Sequence, residues 1–327
     1  MNNNMKFIDL FAGVGGIRIP FQEFGGTCVF SSEWDKYSQQ TYESNFEHKP
    51  NGDITKIDEK NIPEFDILLG GFPCQAFSIA GKRLGFEDTR GTLFFDVARI
   101  IKHHQPKAFL LENVKGLLNH QKGQTFDVIK NTLSDLGYKI HYKTLNAKNF
   151  GVPQNRERIY IVGFKDNVDF SFPDPLDKKT KLGDILDKEV DPKYTISDRL
   201  WASHQERKRR NKEKGWGFGY SIFNEESEYT STISARYYKD GSEILVAQKD
   251  KNPRKLTPRE ASRLQGFPEN FIIPVSDVQA YKQFGNSVSV PVIRELAREI
   301  LSSLNLINED EKNLTAKSKP KQLAIKY

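Results

Sequence analysis

KFIDLFAGVGG, residues 6–16, is the stretch that decides the fold. Its first half, from Lys6 to Leu10, is a short apolar run of the kind that forms a buried strand. Its second half is a glycine-rich turn, and a helical pattern follows over about residues 16–24. Glycines between a strand and a helix let the backbone pass close to a ligand, and the helix N-terminus favours an anionic group. The stretch therefore predicts the first strand and helix of an α/β sheet with a binding loop at its edge.

Short apolar runs and helical patterns alternate through the first half of the chain. We predict strands at residues 27–32, 65–70, 108–112, 144–147 and 158–164, and helices at residues 35–45 and 93–104. Asp35 is placed to cap the first of these helices. This alternation is typical of a doubly wound, Rossmann-like α/β fold.

The sequence changes character near Phe172. Residues 173–254 are rich in charged residues, glycine and tyrosine and lack the alternation, which predicts a second, smaller domain. Thr257, Pro258 and Glu260 have the spacing of a helix start with a capping box, over residues 257–265. An amphipathic helix at residues 291–304 predicts a return to the first domain. We therefore predict one domain of residues 1–172 and 281–327, a second of residues 173–254, and a connecting hinge of residues 255–280.

The composition narrows the class of protein. The 327 residues carry a net charge of +6, which permits a polyanionic partner without requiring one. The N-terminus lacks the apolar stretch of a signal peptide, and no apolar run reaches the roughly 20 residues that span a bilayer. With only Cys28 and Cys74 there is no disulfide framework and no cysteine-based zinc site, so we expect no metal. We expect a cytoplasmic protein that is not bound to a membrane.

The residues after the glycine turn favour a nucleoside ligand. Their glycine spacing is not the full G-x-G-x-x-G, so a dinucleotide is disfavoured. Glu33 ends the second predicted strand 20 residues after Gly13, where a carboxylate accepts ribose hydroxyls. Trp34 is placed to lie flat against an adenine, and Asp53 to accept from the adenine amino group. Taken singly, Trp34 would be a core residue and Asp53 a turn residue, but their order and spacing favour binding.

A cysteine and a glutamate follow neighbouring predicted strands. Cys74 stands in a Gly-Gly-Phe-Pro-Cys-Gln loop, and loops at the carboxyl ends of strands line the site of an open α/β sheet. A thiol there can be exposed and partly ionised, whereas Cys28 lies within a strand and is interpreted as a small buried side chain. Glu112 ends the next strand, where burial raises the pKa of a carboxyl group and keeps it available as an acid. Its alternative role is that of a helix N-cap partner.

Two arginines precede the last predicted strand of the first domain. Arg156 and Arg158 are candidates to clamp a base oxygen and to orient Glu112. The alternative is that they belong to a solvated loop face.

With these residues the chain resembles the bacterial DNA (cytosine-5)-methyltransferases of restriction–modification systems. The blocks of that family occur here in order and cover the first half and the last fifth of the chain. They are residues 11–16, 33–34, 52–54, 73–75, 112–114, 154–158 and 285–288. A Pro-Cys pair alone would be nonspecific, but seven ordered blocks are specific.

The resemblance implies a Rossmann-like enzyme that uses S-adenosyl-L-methionine to methylate C5 of cytosine in double-stranded DNA. It implies that the target base is swung out of the duplex, that the Cys74 thiolate attacks C6 and that Glu112 protonates N3. Arg158 then steadies the base with support from Arg156, and the loop of residues 78–91 closes over it. The residues assigned to the cofactor are Phe11, Gly13, Gly15, Gly16, Glu33, Trp34, Asp53, Ile54, Pro73 and Asn286.

The resemblance also implies that residues 173–254 recognise a short DNA sequence. Residues 207–210 (Arg-Lys-Arg-Arg), with Lys212 and Lys214, lie in a predicted helix and are candidates for phosphate contacts, with a solvated basic face as the alternative. Arg236 offers a guanidinium to a guanine edge. The region is similar to that of enzymes whose palindromic sites begin with two cytosines. The residues assigned to DNA are Gln75, Arg207, Arg209, Arg210, Arg236 and Tyr237.

Particular residues disfavour other functions. Related tRNA methyltransferases carry a further Cys-Phe-Thr block, and this chain has no third cysteine. A catalytically inert DNA-binding protein on the same scaffold would not need Cys74, Glu112 and Arg158 together. A thiol hydrolase would need a histidine in a matching block. We expect a monomer that pairs functionally with a restriction endonuclease and protects host DNA from it.

Overall fold

The structure, a computed structural model, describes residues 5–73 and 93–307. The chain divides into two compact units. Unit 1 draws on residues 1–145, 157–174 and 292–327, and unit 2 on residues 146–156 and 175–291. The chain therefore leaves unit 1 twice and returns to it twice.

In the described part of the chain, six strands form one sheet. They are β1 (Lys6–Leu10), β2 (Thr27–Ser32), β3 (Ile67–Gly71), β4 (Ala108–Val114), β5 (Lys139–Asn146) and β6 (Glu157–Phe164). Their order across the sheet is β2-β1-β3-β4-β6-β5. Strand β1 is parallel to β2 and β3, β3 is parallel to β4, and β6 runs antiparallel to β4. The predicted α/β class with a mostly parallel sheet is confirmed, and the parallel strands end at one edge.

Helices connect the strands and follow them. They are α1 (Arg18–Glu23), α2 (Lys36–Phe46), α3 (Leu93–His104), α4 (Gln124–Asp135), α5 (Asp198–Glu213), α6 (Pro258–Leu264), α7 (Asp277–Asn286) and α8 (Val290–Ser303). Asp35 caps α2, as predicted, because its carboxylate accepts from the Ser38 amide at 2.8 Å. Helices α4 and α7 are absent from the sequence-based prediction.

Helices α3 and α4 pack against the sheet of unit 1. The buried cluster that joins them to the strands includes Ile8, Leu10, Leu68, Phe94, Val97, Ile101, Phe109, Leu111, Ile129 and Leu133. Burial of this much apolar surface is the main source of stability in such a layer. The cluster fixes the strand ends from which the candidate site residues project.

Helix α8 returns the chain to unit 1, as predicted. Its Arg294 forms a two-pronged ion pair with Glu23, the last residue of α1, with N–O distances of 2.7 and 2.9 Å. Ile293, Leu296 and Ile300 are buried along one side of the helix. The C-terminal helix thus braces the helix that follows the glycine turn.

Unit 2 contains α5, α6, α7 and a short parallel strand pair, β7 (Ile222–Phe223) with β8 (Leu245–Val246). Helix α6 begins with the predicted capping box, since Thr257 Oγ1 accepts from the Glu260 amide and Glu260 accepts from the Thr257 amide. Glu260 also accepts hydrogen bonds from both terminal guanidinium nitrogens of the buried Arg254, at 2.7 and 2.8 Å. This fully bonded carboxylate fixes the start of α6.

The two units divide the chain differently from the predicted domains. Residues 146–156, predicted in the first domain, and residues 255–280, predicted as a hinge, both belong to unit 2. Residues 281–291 belong to unit 2 as well. The reason is packing, because Phe284 of α7 lies against Phe267, with ring centroids 5.3 Å apart. No helix among the described residues is long and apolar enough to span a membrane.

Candidate active site

The glycine loop joins β1 to α1. Gly13 and Gly15 adopt left-handed φ values of +54° and +83°. A Cβ at residue 15 would lie 2.2 Å from the ring of Phe46, the last residue of α2. Phe11 is also left-handed, with φ of 54°, which is a strained conformation for a bulky side chain. Gly16 completes the loop. The path of the backbone here therefore depends on glycine and is held by the packing of α2.

Glu33 ties the glycine loop to the end of β2. Its Oε2 accepts from the Gly13 amide and its Oε1 from the Asp35 amide, both at 2.8 Å. Burial raises the pKa of Glu33, and the hydrogen bonds from the two amides act in the opposite direction. Each carboxylate oxygen retains a second lone pair, so the predicted acceptance of ribose hydroxyls remains compatible with these bonds.

The neighbouring cofactor candidates differ in exposure. Trp34 is 80% exposed, which removes the alternative that it packs in the core. Asp53 accepts from the Thr55 amide and hydroxyl at 3.0 and 2.9 Å, so it does act as a turn residue. Ile54 is buried below that turn, and Pro73 is exposed after the end of β3. Their contacts with a cofactor stay predictions.

A buried polar network that the sequence analysis missed lies beside the loop. Arg18 donates to the Tyr42 hydroxyl at 3.0 Å, and its guanidinium lies over the Phe46 ring at 4.2 Å. Tyr42 donates to Asp9 Oδ2 at 3.5 Å. Burial raises the pKa of Asp9 to about 8, partly offset by Arg18. One signal was available in the sequence, since Asp9 is an acid within an otherwise apolar strand.

Cys28 belongs to the same network. Its thiol donates to the Phe30 carbonyl at 3.3 Å and lies 3.8 Å from the Tyr42 hydroxyl. Burial raises the pKa of Cys28 to about 11. A thiol with so little thiolate near neutral pH is a poor nucleophile, which agrees with its interpretation as a packing residue.

Glu112 and Arg158 form an ion pair across two adjacent strands. Glu112 lies in β4 and Arg158 in β6, and Arg158 Nε is 3.1 Å from Glu112 Oε1. Both side chains are largely buried, so the contact is shielded from solvent. The pair brings together two residues that are 46 positions apart in the chain. Arg158 is therefore placed to orient Glu112, as the sequence predicted for one of the two arginines.

The end of β3 lies directly beside Glu112. Gly71 is the register partner of Glu112, and a Cβ at Gly71 would be 3.6 Å from Glu112 Oε2. Asn113 donates to the Phe72 carbonyl at 2.8 Å and so fixes the chain two residues before Cys74. Cys74, Gln75 and the loop of residues 78–91 lie outside the residues that the structure describes.

Arg156 has a different role from the one predicted. It is buried in unit 2, and its guanidinium donates to the carbonyls of Ile233 at 3.1 Å, Gly285 at 3.2 Å and Ser287 at 2.5 Å. These bonds commit the charged group to the backbone of unit 2, so we correct its assignment from base contact to structural support. The sequence could not distinguish these roles, since they depend on contacts some 77 to 131 residues away.

The three arginines assigned to phosphate contacts lie on α5 and are paired with acids. Arg207 donates to Asp240 at 2.9 Å, and Arg209 bonds both Glu206 and Glu213. Arg210 lies 3.5 Å from Glu206. This pairing favours the alternative of a solvated, salt-bridged helix face for these arginines.

Two neighbouring residues assigned to base recognition differ in their exposure to solvent. Arg236 is exposed, whereas Tyr237 is fully buried. The Tyr237 hydroxyl donates to the Ile244 carbonyl at 2.7 Å and accepts from the Leu256 amide at 2.8 Å. The assignment of Tyr237 to DNA is therefore wrong, because its ring and hydroxyl are used inside unit 2. Asn286, assigned to the cofactor, is exposed at the end of α7 in unit 2.

Comparison with known proteins identifies the family. The family model described as C-5 cytosine-specific DNA methylase matches residues 5–302. The Type II methyltransferase M.SsoII of Shigella sonnei is 64% identical over 310 residues, which are 93% of this chain and 82% of that protein. M.HpaII of Haemophilus parainfluenzae is 52% identical over 326 residues, covering 93% of this chain and 91% of that protein.

Solved structures support the fold independently. The Dnmt2 methyltransferase of S. pombe superposes with a TM-score of 0.78 at 20% identity, covering 92% of this chain and 99% of that one. At this identity the likeness concerns the fold alone. The sequence match over nearly the whole chain carries the identification, and it agrees with the glycine loop, Glu33 and the Glu112–Arg158 pair. The chain belongs to the C-5 cytosine-specific DNA methylases, of the bacterial type that the Type II methyltransferases represent, and is a DNA (cytosine-5)-methyltransferase.

Proposed function

We propose that this methyltransferase carries a methyl group from S-adenosyl-L-methionine to C5 of one cytosine within a short duplex sequence, through a covalent bond between Cys74 and C6. The observation that carries the proposal is the Glu112–Arg158 ion pair. It holds a carboxyl group beside the end of β3, the strand that leads to Cys74. The attack on a cytosine ring requires a nucleophile and an acid, and Cys74 follows β3 in the sequence while Glu112 lies on the adjacent strand β4.

The proposed reaction begins with the target base turned out of the duplex. Glu112, a carboxylate in its ion pair with Arg158, first takes up a proton from solvent. The Cys74 thiolate then forms a bond to C6 while the Glu112 carboxyl group gives that proton to N3, and the ring electrons move onto C5. C5 then takes the methyl group as the bond from that methyl to the donor sulfur breaks, with the electron pair left on a neutral thioether. Loss of the C5 proton to a base, departure of the thiolate and return of the N3 proton restore the aromatic ring. Arg158 holds the Glu112 carboxyl group and steadies the base.

S-Adenosyl-L-methionine supplies the methyl group on a positively charged sulfur. The geometry of the glycine loop supports such a ligand, since Gly13 is left-handed and a Cβ there would meet only the Phe11 carbonyl oxygen, at 4.0 Å, which leaves the backbone open to close approach. In the proposal Glu33 accepts from the ribose hydroxyls, Trp34 covers the adenine and Asp53 accepts from its amino group. Phe11, Ile54, Pro73 and Asn286 complete the proposed cofactor set.

The test is covalent trapping on duplex DNA with 5-fluorocytosine at the methylated position, which bisulfite mapping of the host genome identifies first. Fluorine cannot leave C5 as a cation, so methylation should leave the protein bonded to DNA after denaturation. Glu112→Gln should form the complex about 10²–10⁴ times more slowly, which is the usual contribution of a general acid. Peptide mass spectrometry should find the adduct on Cys74.

The two cysteines of the chain provide matched controls. Cys74→Ser should form no adduct, because an alkoxide is far harder to generate near neutral pH than a thiolate. Cys28→Ser should form it at the normal rate. An adduct on Cys28, or none with DNA that the protein demonstrably methylates, would refute the covalent mechanism.

The wider setting is also a proposal. We propose a cytoplasmic monomer whose methylation protects host DNA from a restriction endonuclease of the same specificity, at a palindrome beginning with two cytosines. The supporting relatives include Type II methyltransferases from several bacteria. Deleting the gene in the host should remove 5-methylcytosine from one sequence alone, and sedimentation equilibrium of the protein should give the mass of one chain.

A further inference from the structure

Two aromatic side chains stand exposed beyond the end of α5. Trp216 is 50% exposed and Phe218 is 64% exposed, although both are large apolar residues. Their rings lie nearly parallel, at 19°, with centroids 5.3 Å apart. Apolar groups left in water contribute little to folding stability, and an exposed apolar patch commonly marks an interaction surface.

The backbone that carries these rings is anchored. Asn211, buried within α5, donates to the Phe218 carbonyl at 2.9 Å, and its own carbonyl accepts from the Trp216 amide at 2.8 Å. Gly219 lies so close to Lys208 that a Cβ would be 3.0 Å from its Cγ. The loop is therefore prearranged with its rings outward, which lowers the entropic cost of binding.

One lysine lies beside the ring pair, and another lies beside the tyrosine that follows it. Lys214 Nζ lies 5.2 Å from the Trp216 ring centroid, and Lys208 Nζ lies 4.3 Å from that of Tyr220. Lys212 and Lys214 form no ion pair within residues 5–73 and 93–307, in contrast to Arg207, Arg209 and Arg210, which are paired with Asp240, Glu206 and Glu213. The unpaired Lys214 ammonium therefore lies next to the exposed Trp216 ring, and Lys212 adds a second exposed charge at the same helix end.

We propose that Trp216 and Phe218, with Lys212 and Lys214, form a DNA-contact surface in which the rings wedge against bases that are unstacked where the duplex is opened, while the lysines bind phosphates. This inference rests on the proposed function, because it takes DNA as the ligand, and it adds a contact distinct from Arg236. Lysine next to exposed aromatic rings suits a polyanion with flat, stackable bases. A protein partner is a poorer fit, since lysine is depleted at protein interfaces.

The binding test uses full-length protein and sheared bacterial genomic duplex DNA. Trp216→Ala/Phe218→Ala should raise Kd for DNA about 5- to 150-fold, the range expected for one stacked base. Val278→Ala, at an exposed apolar residue of α7 in the same unit, should leave Kd unchanged. Circular dichroism should be the same for both variants and wild type, because both sites are exposed.

Tryptophan fluorescence shows whether the Trp216 ring itself contacts DNA or only lies near the contact. In a protein with Trp34→Phe and Trp201→Phe, Trp216 is the only tryptophan, and DNA should quench its emission. Lys212→Ala/Lys214→Ala should leave the quenching in place. The slope of log K against log salt should flatten in this variant by about 0.9 for each phosphate that is no longer bound.

The possible failures are distinguishable. If wild-type protein methylates DNA but the aromatic variant binds it equally well and Trp216 is not quenched, this inference is refuted and the proposed function stands. That outcome would leave a protein as the occupant of the surface. If wild-type protein neither methylates nor binds DNA, the proposed function fails and this inference fails with it.

Discussion

Trp34 lies two residues after the end of β2, next to the buried Glu33 that braces the glycine loop, yet it is 80% exposed. An exposed ring adds little to folding stability but is available to an adenine. We expect Trp34→Ala to weaken S-adenosyl-L-methionine binding by about 1–3 kcal/mol, the usual value of aromatic–base stacking, with little change in the unfolding midpoint. Trp34→Phe, which keeps a flat ring, should retain most of the affinity. Calorimetric titration measures the S-adenosyl-L-methionine affinity of both variants. An alanine variant that binds as tightly as wild type would show that Trp34 is not part of the cofactor site.

Asp9 makes the stability of the protein depend on pH. Burial raises the pKa of its carboxyl group to about 8, with Arg18 opposing and Glu33 adding to the effect. The folded state thus holds this proton more tightly than the unfolded chain does. The free energy of unfolding should therefore fall as pH rises from about 4 to about 8, by up to about 1.4 kcal/mol per pH unit for one proton.

Asp9→Asn isolates this contribution, since asparagine has a similar shape and no charge to bury. Urea unfolding between about pH 5 and pH 8 should show the stability of the variant, relative to wild type, increasing as pH rises. Parallel stability curves for the two proteins would mean that Asp9 stays ionised in the folded state. Arg18 would then neutralise the Asp9 carboxylate completely.

At the scale of elements, helix α7 and the segment around Ser234 meet at a glycine. A Cβ at Gly285 would lie 2.3 Å from the carbonyl carbon of Ser234 and 2.4 Å from the Ala235 nitrogen. We expect Gly285→Ala to destabilise unit 2 by about 1–3 kcal/mol, the usual cost of overpacking. Gly217→Ala, where nothing lies within 4 Å, should be nearly neutral. Denaturant unfolding compares them, and equal midpoints would contradict the close approach.

The elements that were predicted correctly carry local signals. The β1–loop–α1 unit, Asp35 as the cap of α2 and the capping box of α6 each depend on residues within a few positions of one another. Helix α7 was not predicted. The structural role of Arg156 was missed as well, because its bonds to Gly285 and Ser287 join residues about 130 positions apart. Tyr237 follows Arg236 directly, and only the fold of unit 2 decides which of the two is buried.

At the scale of the whole molecule, the chain crosses between its two units four times, so neither unit is a continuous segment. The candidate residues are divided accordingly. Unit 1 holds the glycine loop, Glu33, Asp53, Glu112 and Arg158, and unit 2 holds Arg156, Arg236 and Asn286. Sequence blocks predicted which residues matter to the family, but they could not predict this division, because it follows from where α7 and residues 146–156 pack.

Cofactor binding should therefore change the two units unequally. At about 100 times its Kd, a ligand that binds only the folded state stabilises it by about 2.7 kcal/mol, which corresponds to roughly 100-fold slower global exchange. We expect S-adenosyl-L-methionine to slow amide hydrogen exchange most at residues 11–16, 33–35 and 53–54. These segments contain the proposed cofactor contacts of unit 1, and α5 should serve as the internal reference, with little local protection.

The same experiment decides the assignment of Asn286, which rests on the family resemblance. If Asn286 contacts the cofactor, residues 285–288 should also be protected, and Asn286→Ala should abolish that protection while leaving it intact at residues 11–16. Protection that is absent at residues 285–288 in wild-type protein would remove Asn286 from the cofactor set. Protection that is absent at residues 11–16 would overturn the proposed cradle itself, since that loop, held in its left-handed path by Glu33 and Phe46, is its centre.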